Sequence, residues 1–274
     1  LSDMSEYLAM CKLSNESYEQ FWAELAREFL IWHSPFTSIL NDQNPPFYRW
    51  FENGMLNASY NCIDRHVRSG KGDKVALVFE SDDGKIEKVS YKTLLVKVCK
   101  FANALIRKGY KKGDRAIIYM PMSIEGVVSM QACARLGITH SVVFGGFSAK
   151  SLEERIIDVG AKFIITADEQ VRGGKNIPLK KAVDEALTGE ASKNVKDVIV
   201  YRRTGIEIEM SARDIFLEEI IESEEDYCEP VYVESEHPLF VLYTSGSTGR
   251  PKGIQHSTGG YLLHSALTMF YTFD

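Results

Sequence analysis

At 274 residues and 45% hydrophobic content, the chain is long enough to bury a large core and exceeds the usual size of one domain. Its net charge of −6, from 32 basic against 38 acidic residues, argues against a nucleic-acid partner, which would need a basic face for phosphates. No apolar run approaches the roughly 20 residues that span a bilayer, and no basic-then-apolar leader opens the sequence, so no membrane partner is expected.

Residues 1–70 read as a helical and irregular N-terminal arm, with Phe21, Trp22, Trp32, Trp50 and Phe51 as large anchors onto a bigger body. From about residue 73 a strand–helix rhythm begins, and 71–274 reads as one α/β unit. Val75–Phe79 and Lys88–Ser90 flank a turn at Ser81–Gly84, a hairpin signal in which Asp82 and Asp83 serve as solvated turn residues. Helical spacing of Leu94, Leu95, Val98, Phe101, Ala102 and Leu105 predicts a helix from Tyr91 to about Lys108, ended by Gly109. Arg115–Met120 is a strand broken by Pro121, and Ser123 caps a helix running to about Leu136–Gly137.

Ser141–Phe144 makes the next strand, and Ser151-Leu152-Glu153-Glu154 has capping-box spacing for another helix. Lys162–Thr166, Val198–Tyr201 and the apolar run Pro238–Leu242 are further strands, with a helix near 179–187. The acidic stretch 218–229 reads as a surface helix and connector with solvated charges. The fold class that follows is α/β, with mostly parallel sheets covered by helices on both faces. In such sheets ligands sit beyond the carboxyl ends of the strands.

The most informative segment is Tyr243-Thr244-Ser245-Gly246-Ser247-Thr248-Gly249-Arg250-Pro251-Lys252-Gly253, directly after the last strand. Its glycines free the backbone to expose successive N–H groups. Those amides, the hydroxyls and the Lys252 ammonium make an electropositive donor array suited to a polyphosphate. The spacing is not that of a P-loop, because Pro251 stands five residues after Gly246, where the second glycine should be. Arg172-Gly173-Gly174-Lys175 places two cations around two glycines past the strand at 162–166, a turn that could bind a phosphate or simply be solvated. The five cysteines, Cys11, Cys62, Cys99, Cys133 and Cys228, lack C-x-x-C spacing, so reduced thiols and a cytoplasmic location are expected. The six histidines lack metal-site spacing, and His256 and His264 read as packing residues.

The segment 243–253 resembles the signature loop of adenylate-forming enzymes, a superfamily of acyl-CoA synthetases, peptide-synthetase adenylation domains and luciferases. Residues 255–263, Gln-His-Ser-Thr-Gly-Gly-Tyr-Leu-Leu, are similar to the acetyl-CoA synthetase branch, as are residues 50–66, 112–115, 119–122 and 140–148. The resemblance implies an incomplete AMP-binding α/β domain in an N-terminal fragment, with both ends cut. It implies that acetate, ATP and coenzyme A are the small-molecule substrates and that Mg²⁺ assists.

Within that resemblance, Thr244, Ser245, Gly246, Ser247, Thr248, Gly249 and Lys252 hold the ATP phosphates. Thr244 and Lys252 act catalytically by stabilising the departing pyrophosphate. Arg172, Gly173, Gly174 and Lys175, with Gly145 and Gly146 nearby, bind the nucleotide end of coenzyme A. Propionyl-CoA synthetase and a non-catalytic nucleotide- or CoA-binding module remain alternatives. The adenine, ribose, metal and acyl-pocket residues of relatives would lie beyond Asp274, so the fragment alone is expected to be inactive.

Overall fold

The structure is a computed structural model that describes residues 3–244 and 251–273. Helices α1 (Met4–Glu16) and α2 (Tyr18–Phe29) lead into an antiparallel pair, β1 (Ser38–Asn41) and β2 (Arg49–Glu52), and a short β3 (Met55–Leu56). Two wide helical turns follow, at Tyr60–Asp64 and Val67–Lys71. The hairpin β4 (Val75–Glu80) and β5 (Ile86–Ser90) then precedes α3 (Tyr91–Arg107), β6 (Arg115–Met120) and α4 (Ile124–Arg135). Next come β7 (Thr139–Phe144), α5 (Ala149–Val159), β8 (Phe163–Ala167), a small hairpin of β9 (Glu169–Arg172) and β10 (Lys175–Pro178), and α6 (Leu179–Ala186). The remainder is β11 (Asp197–Tyr201), β12 (Asp214–Phe216), α7 (Leu217–Ile221), β13 (Val233–Glu234), β14 (Pro238–Thr244), β15 (Lys252–Ser257) and α8 (Thr258–Thr268).

The main sheet runs β12-β11-β8-β6-β7-β14-β15, parallel throughout except for the antiparallel edge strand β15. Strand periodicity divides its side chains between two cores. Ala116, Ile118, Met120, Phe163, Ile165 and Ile199 face one core, with α3, α4 and α7. Ile117, Tyr119, Ile164, Val198 and Val200 face the other, with α5 and α6. Both faces are therefore covered, as a parallel sheet requires. The helix starts follow capping chemistry: Ser90 Oγ accepts from Thr93 N at 3.2 Å, and Ser123 Oγ from Gly126 N at 3.1 Å.

Three expectations need correction. Helix α5 starts at Ser148 rather than Ser151, because Ser148 Oγ accepts from the Ser151 amide at 3.3 Å, and Ser151 lies within the first turn. The acidic stretch holds only one short helix, and part of its charge is paired rather than solvated. Glu224 meets Arg107 at 2.7 Å, Asp226 meets Lys100 at 3.3 Å, and Glu219 meets Arg202 at 2.7 Å. Residues 1–70 also contain the β1–β2 pair, whose strands are too short to show a period of two.

The first 70 residues pack firmly on the sheet edge. Phe21, Leu25, Leu30, Phe36, Phe51 and Leu56 share a third core with Leu239, Leu262 and Leu263. At about 1.5–3 kcal/mol for each fully buried apolar side chain, this packing holds the segment firmly against the rest of the chain. Phe51 has φ +58, a region a bulky residue rarely enters. The rings of Trp32, Phe36 and Trp50, at 5.8, 5.0 and 5.5 Å, hold it there. Asparagines tie this segment to neighbouring backbone. Asn57 Nδ2 donates to the carbonyls of Ala134, Arg135 and Val231, and Asn61 exchanges two hydrogen bonds with the Ile31 backbone.

His140 on β7 yields a pH prediction. It is buried, and its Nδ1 has no hydrogen-bond partner among the described residues. Burial pushes its imidazole down to about 4. The unfolded chain protonates this group near 6.5, so its contribution to stability is complete above that pH and is lost as pH falls towards 4. Denaturant midpoints of the wild type should therefore fall relative to those of His140→Phe by up to about 1.4 kcal/mol per pH unit in that window. Parallel curves for the two proteins would refute the assignment.

Candidate functional site

Strand β14 is parallel to β7 with Phe240 opposite His140, so by register Thr244 ends its strand level with Phe144. Register likewise sets Phe144 opposite Met120 of β6 and Thr166 of β8 opposite Tyr119. The ends of β14, β7, β6 and β8 thus form one carboxyl edge, where ligands collect in open α/β sheets.

The Gly-rich segment is the connection of an antiparallel hairpin. Thr244 and Lys252 oppose each other in the ladder between β14 and β15, at the mouth of the loop. Ser245, Gly246, Ser247, Thr248 and Gly249 lie outside the described residues. Both Thr244 and Lys252 are exposed, and no carboxylate stands within ion-pair distance of Lys252 among the described residues.

One residue back, Tyr243 fixes the hairpin to α5. Its hydroxyl donates to Asp158, and the Arg155 guanidinium lies 5.1 Å over its ring. Burial and the Asp158 hydrogen bond both raise the Tyr243 phenol, so it stays a donor. A Cβ on Gly253 would come within 3.2 Å of the Tyr243 ring and 3.0 Å of Val241 Cγ1, so this glycine lets the ring lie across the partner strand. Sequence reasoning named Tyr243 and Gly253 as loop residues and missed this clamp.

The second basic turn is the tip of the β9–β10 hairpin, with Arg172 opposite Lys175 and Gly173 and Gly174 at φ +57 and +72. Two consecutive left-handed residues are what such a two-residue turn demands. Gly145 and Gly146 lie against this hairpin. Gln170 of β9 donates through Nε2 to the Gly145 carbonyl at 2.9 Å, and a Cβ on Gly145 would fall 2.5 Å from Gln170 Oε1. Gly146, at φ +102, donates its amide to the Tyr119 hydroxyl at 3.1 Å, and that hydroxyl donates to the Phe147 carbonyl at 2.8 Å.

Phe144 and Phe147 leave an exposed aromatic face on this edge, 50% and 40% accessible. The Arg172 guanidinium lies 4.9 Å over the Phe144 ring. Neither Arg172 nor Lys175 has a carboxylate within 4.0 Å among the described residues. The Gly173 amide donates to Asp82 Oδ2 at 2.8 Å. Two unpaired cations, an aromatic face and a glycine turn therefore stand on the same edge as the Thr244–Lys252 hairpin.

Other sequence candidates have structural roles. His256 stacks on Phe240 at 4.6 Å and meets Tyr261 edge-on at 5.5 Å. All five cysteines are free thiols, three of them buried. No helix among the described residues is long and apolar enough to cross a membrane.

Two family models cover almost the whole chain: "Acetyl-coenzyme A synthetase N-terminus" matches residues 7–62, and "AMP-binding enzyme" matches residues 63–274. The chain is 61% identical to an acetyl-coenzyme A synthetase of Burkholderia lata over 275 residues, covering 100% of the chain and 42% of that protein. It is 60% identical to one of Cupriavidus pinatubonensis, covering 99% of the chain and 41% of the relative, and 58% identical to one of Ralstonia pickettii, covering 100% and 42%. The chain thus spans about 42% of the length of the curated relatives it matches. With its parallel sheet, its helices on both faces and its hydroxyl-rich hairpin loop, the chain belongs to the AMP-binding enzyme family.

Proposed function

We propose that this chain supplies the triphosphate-binding and coenzyme A-binding part of an AMP-forming acetate–CoA ligase. In the first half-reaction, the acetate carboxylate attacks the α-phosphorus of ATP and pyrophosphate leaves. In the second, the coenzyme A thiolate attacks the acyl carbon of the adenylate, releasing AMP and the thioester. The observation that carries this reading is the shared carboxyl edge, where Thr244 and Lys252 stand by register beside Phe144, and Phe144 lies under Arg172. Acetate as the acyl group is supported by its relatives, which are acetyl-coenzyme A synthetases.

Lys252, Thr244 and the amides and hydroxyls of the connecting segment would stabilise charge growing on pyrophosphate. Arg172 and Lys175 would hold anionic groups of coenzyme A far from the chemistry, through charge-assisted contacts. The described residues contain no group of three or more His, Cys, Asp or Glu able to hold a metal. They do not by themselves form a Mg²⁺ site, and Mg²⁺ would enter on the triphosphate oxygens. We read residues 1–70 as a docking arm and 71–274 as part of the nucleotide-binding domain. The free thiols suit a cytoplasmic location.

The test is ATP–pyrophosphate exchange and thioester formation, with acetate, propionate and acetoacetate, by an enzyme of the relatives' length carrying these residues. Exchange that requires acetate and thioester formation that requires coenzyme A are expected. A propionate preference would redirect the acyl assignment, and exchange without any carboxylate would refute the reaction. Arg172→Ala and Lys175→Ala should each raise the KM for coenzyme A about tenfold and leave exchange intact. Equal loss in both half-reactions would show that the turn is misread.

A further inference from the structure

Two hairpin tips distant in sequence meet at this edge. The turn between β4 and β5 closes through the Ser81 amide to the Lys85 carbonyl at 3.0 Å and the Gly84 amide to the Ser81 carbonyl at 2.8 Å. Asp83 is spent within that turn, accepting from Ser81 Oγ and from the Lys85 amide. Asp82 instead reaches outward, 91 residues across the chain, to the Gly173 amide of the β9–β10 turn.

We propose that Asp82 is a positioning residue for coenzyme A: by anchoring the Gly173 amide it holds Arg172 and Lys175 in place on the ligand edge. The inference rests on the coenzyme A assignment proposed above. A Gly-Gly tip has the greatest conformational freedom of any two-residue turn, so something outside it must fix its direction. Packing at the glycines does not, because nothing lies within 4 Å of a Cβ built on either Gly173 or Gly174. A carboxylate accepting from a backbone amide is the strong, charge-assisted kind of tie that can do so. The bond goes to the amide and not to the cations: Asp82 forms no ion pair with Arg172 or Lys175 among the described residues. Both positive charges therefore remain available to a phosphate, while the tip that carries them is fixed.

A competing physical picture has the carboxylate occupying the place of a ligand phosphate oxygen. The two predict opposite signs. In an enzyme of the relatives' length, Asp82→Ala should raise the KM for coenzyme A about three- to tenfold, without changing acetate-dependent ATP–pyrophosphate exchange. Asp82→Asn keeps an acceptor oxygen and should stay near the wild-type KM. Hydrogen exchange of the Gly173 amide should quicken in Asp82→Ala and not in Asp82→Asn. A fall in KM in both variants would overturn the proposal in favour of competition. An unchanged KM in Asp82→Ala, or a parallel loss of exchange activity, would overturn it as well. Arg172→Ala, run alongside, separates the two levels. If it too leaves the KM unmoved, the coenzyme A assignment has failed; if it raises the KM while Asp82→Ala is silent, only the positioning role has.

Discussion

Lys252→Ala is expected to slow acetate-dependent ATP–pyrophosphate exchange by about 10²–10³-fold, the usual effect of removing one donor from a preorganised anion site. Lys252 stands opposite Thr244 at the hairpin mouth, exposed and free of any carboxylate among the described residues. Its ammonium is therefore available to charge that develops on a leaving group. Its position on an edge strand, away from the two sheet cores, means that the substitution removes charge without opening a cavity. Unfolding midpoints should stay within about 0.5 kcal/mol of wild type, as for other surface substitutions. The KM for coenzyme A should also hold, because Arg172 and Lys175 sit on a separate hairpin. Exchange within about threefold of wild type would remove Lys252 from the chemistry.

The second large effect is on stability. Arg135, at the end of α4, is fully buried and pairs with Asp64 through two hydrogen bonds of 2.8 and 3.0 Å, with side-chain exposures of 0% and 1%. Its Nε donates to the Cys228 carbonyl at 2.6 Å. Breaking such a pair by removing one partner leaves an uncompensated charge in the interior, which costs about 3–5 kcal/mol. Asp64→Ala and Arg135→Ala should each lower the unfolding free energy by that amount, read from denaturant midpoints. Asp64→Leu combined with Arg135→Met should lose much less, since neither charge is then stranded. A single variant with an unchanged midpoint would show the pair to be dispensable. The pair joins residues 57–64, the end of α4 and the approach to Val231, so its loss loosens the seam between the first 70 residues and the sheet.

The central sheet was legible because Ala116–Met120, Phe163–Ile165 and Val198–Tyr201 are unbroken apolar runs, the mark of strands buried on both faces. Ser123 stood out as a cap because it precedes a clear helical period, whereas Ser90, which caps α3, read as the end of a strand. Strand β15 was hidden because Lys252, Gly253, Ile254 and Gln255 are exposed on the sheet edge, where burial imposes no apolar pattern. The β9–β10 hairpin was hidden for want of length, at four residues per strand. At the candidate site, residue types and loop spacing were readable; tertiary ties were not. Tyr243 to Asp158 and Gly173 to Asp82 link positions 85 and 91 residues apart, and no local pattern announces them. The same holds for Arg135 and Asp64, 71 residues apart.

The antiparallel course of β15 has an electrostatic consequence. In a phosphate loop that runs straight into a helix, the positive end of the helix axis faces the anion. Here the chain doubles back, and Ser257, just before α8, pairs with Pro238 at the opposite end of β14 from Thr244. Six strand residues set the first turn of α8 about 20 Å away from the loop mouth. The Thr258 and Gly259 amides are also already spent on the His237 and Ser235 carbonyls. Without that macrodipole, the attraction proposed for a polyphosphate would rest on solvent-facing point charge such as Lys252, which dissolved electrolyte attenuates strongly.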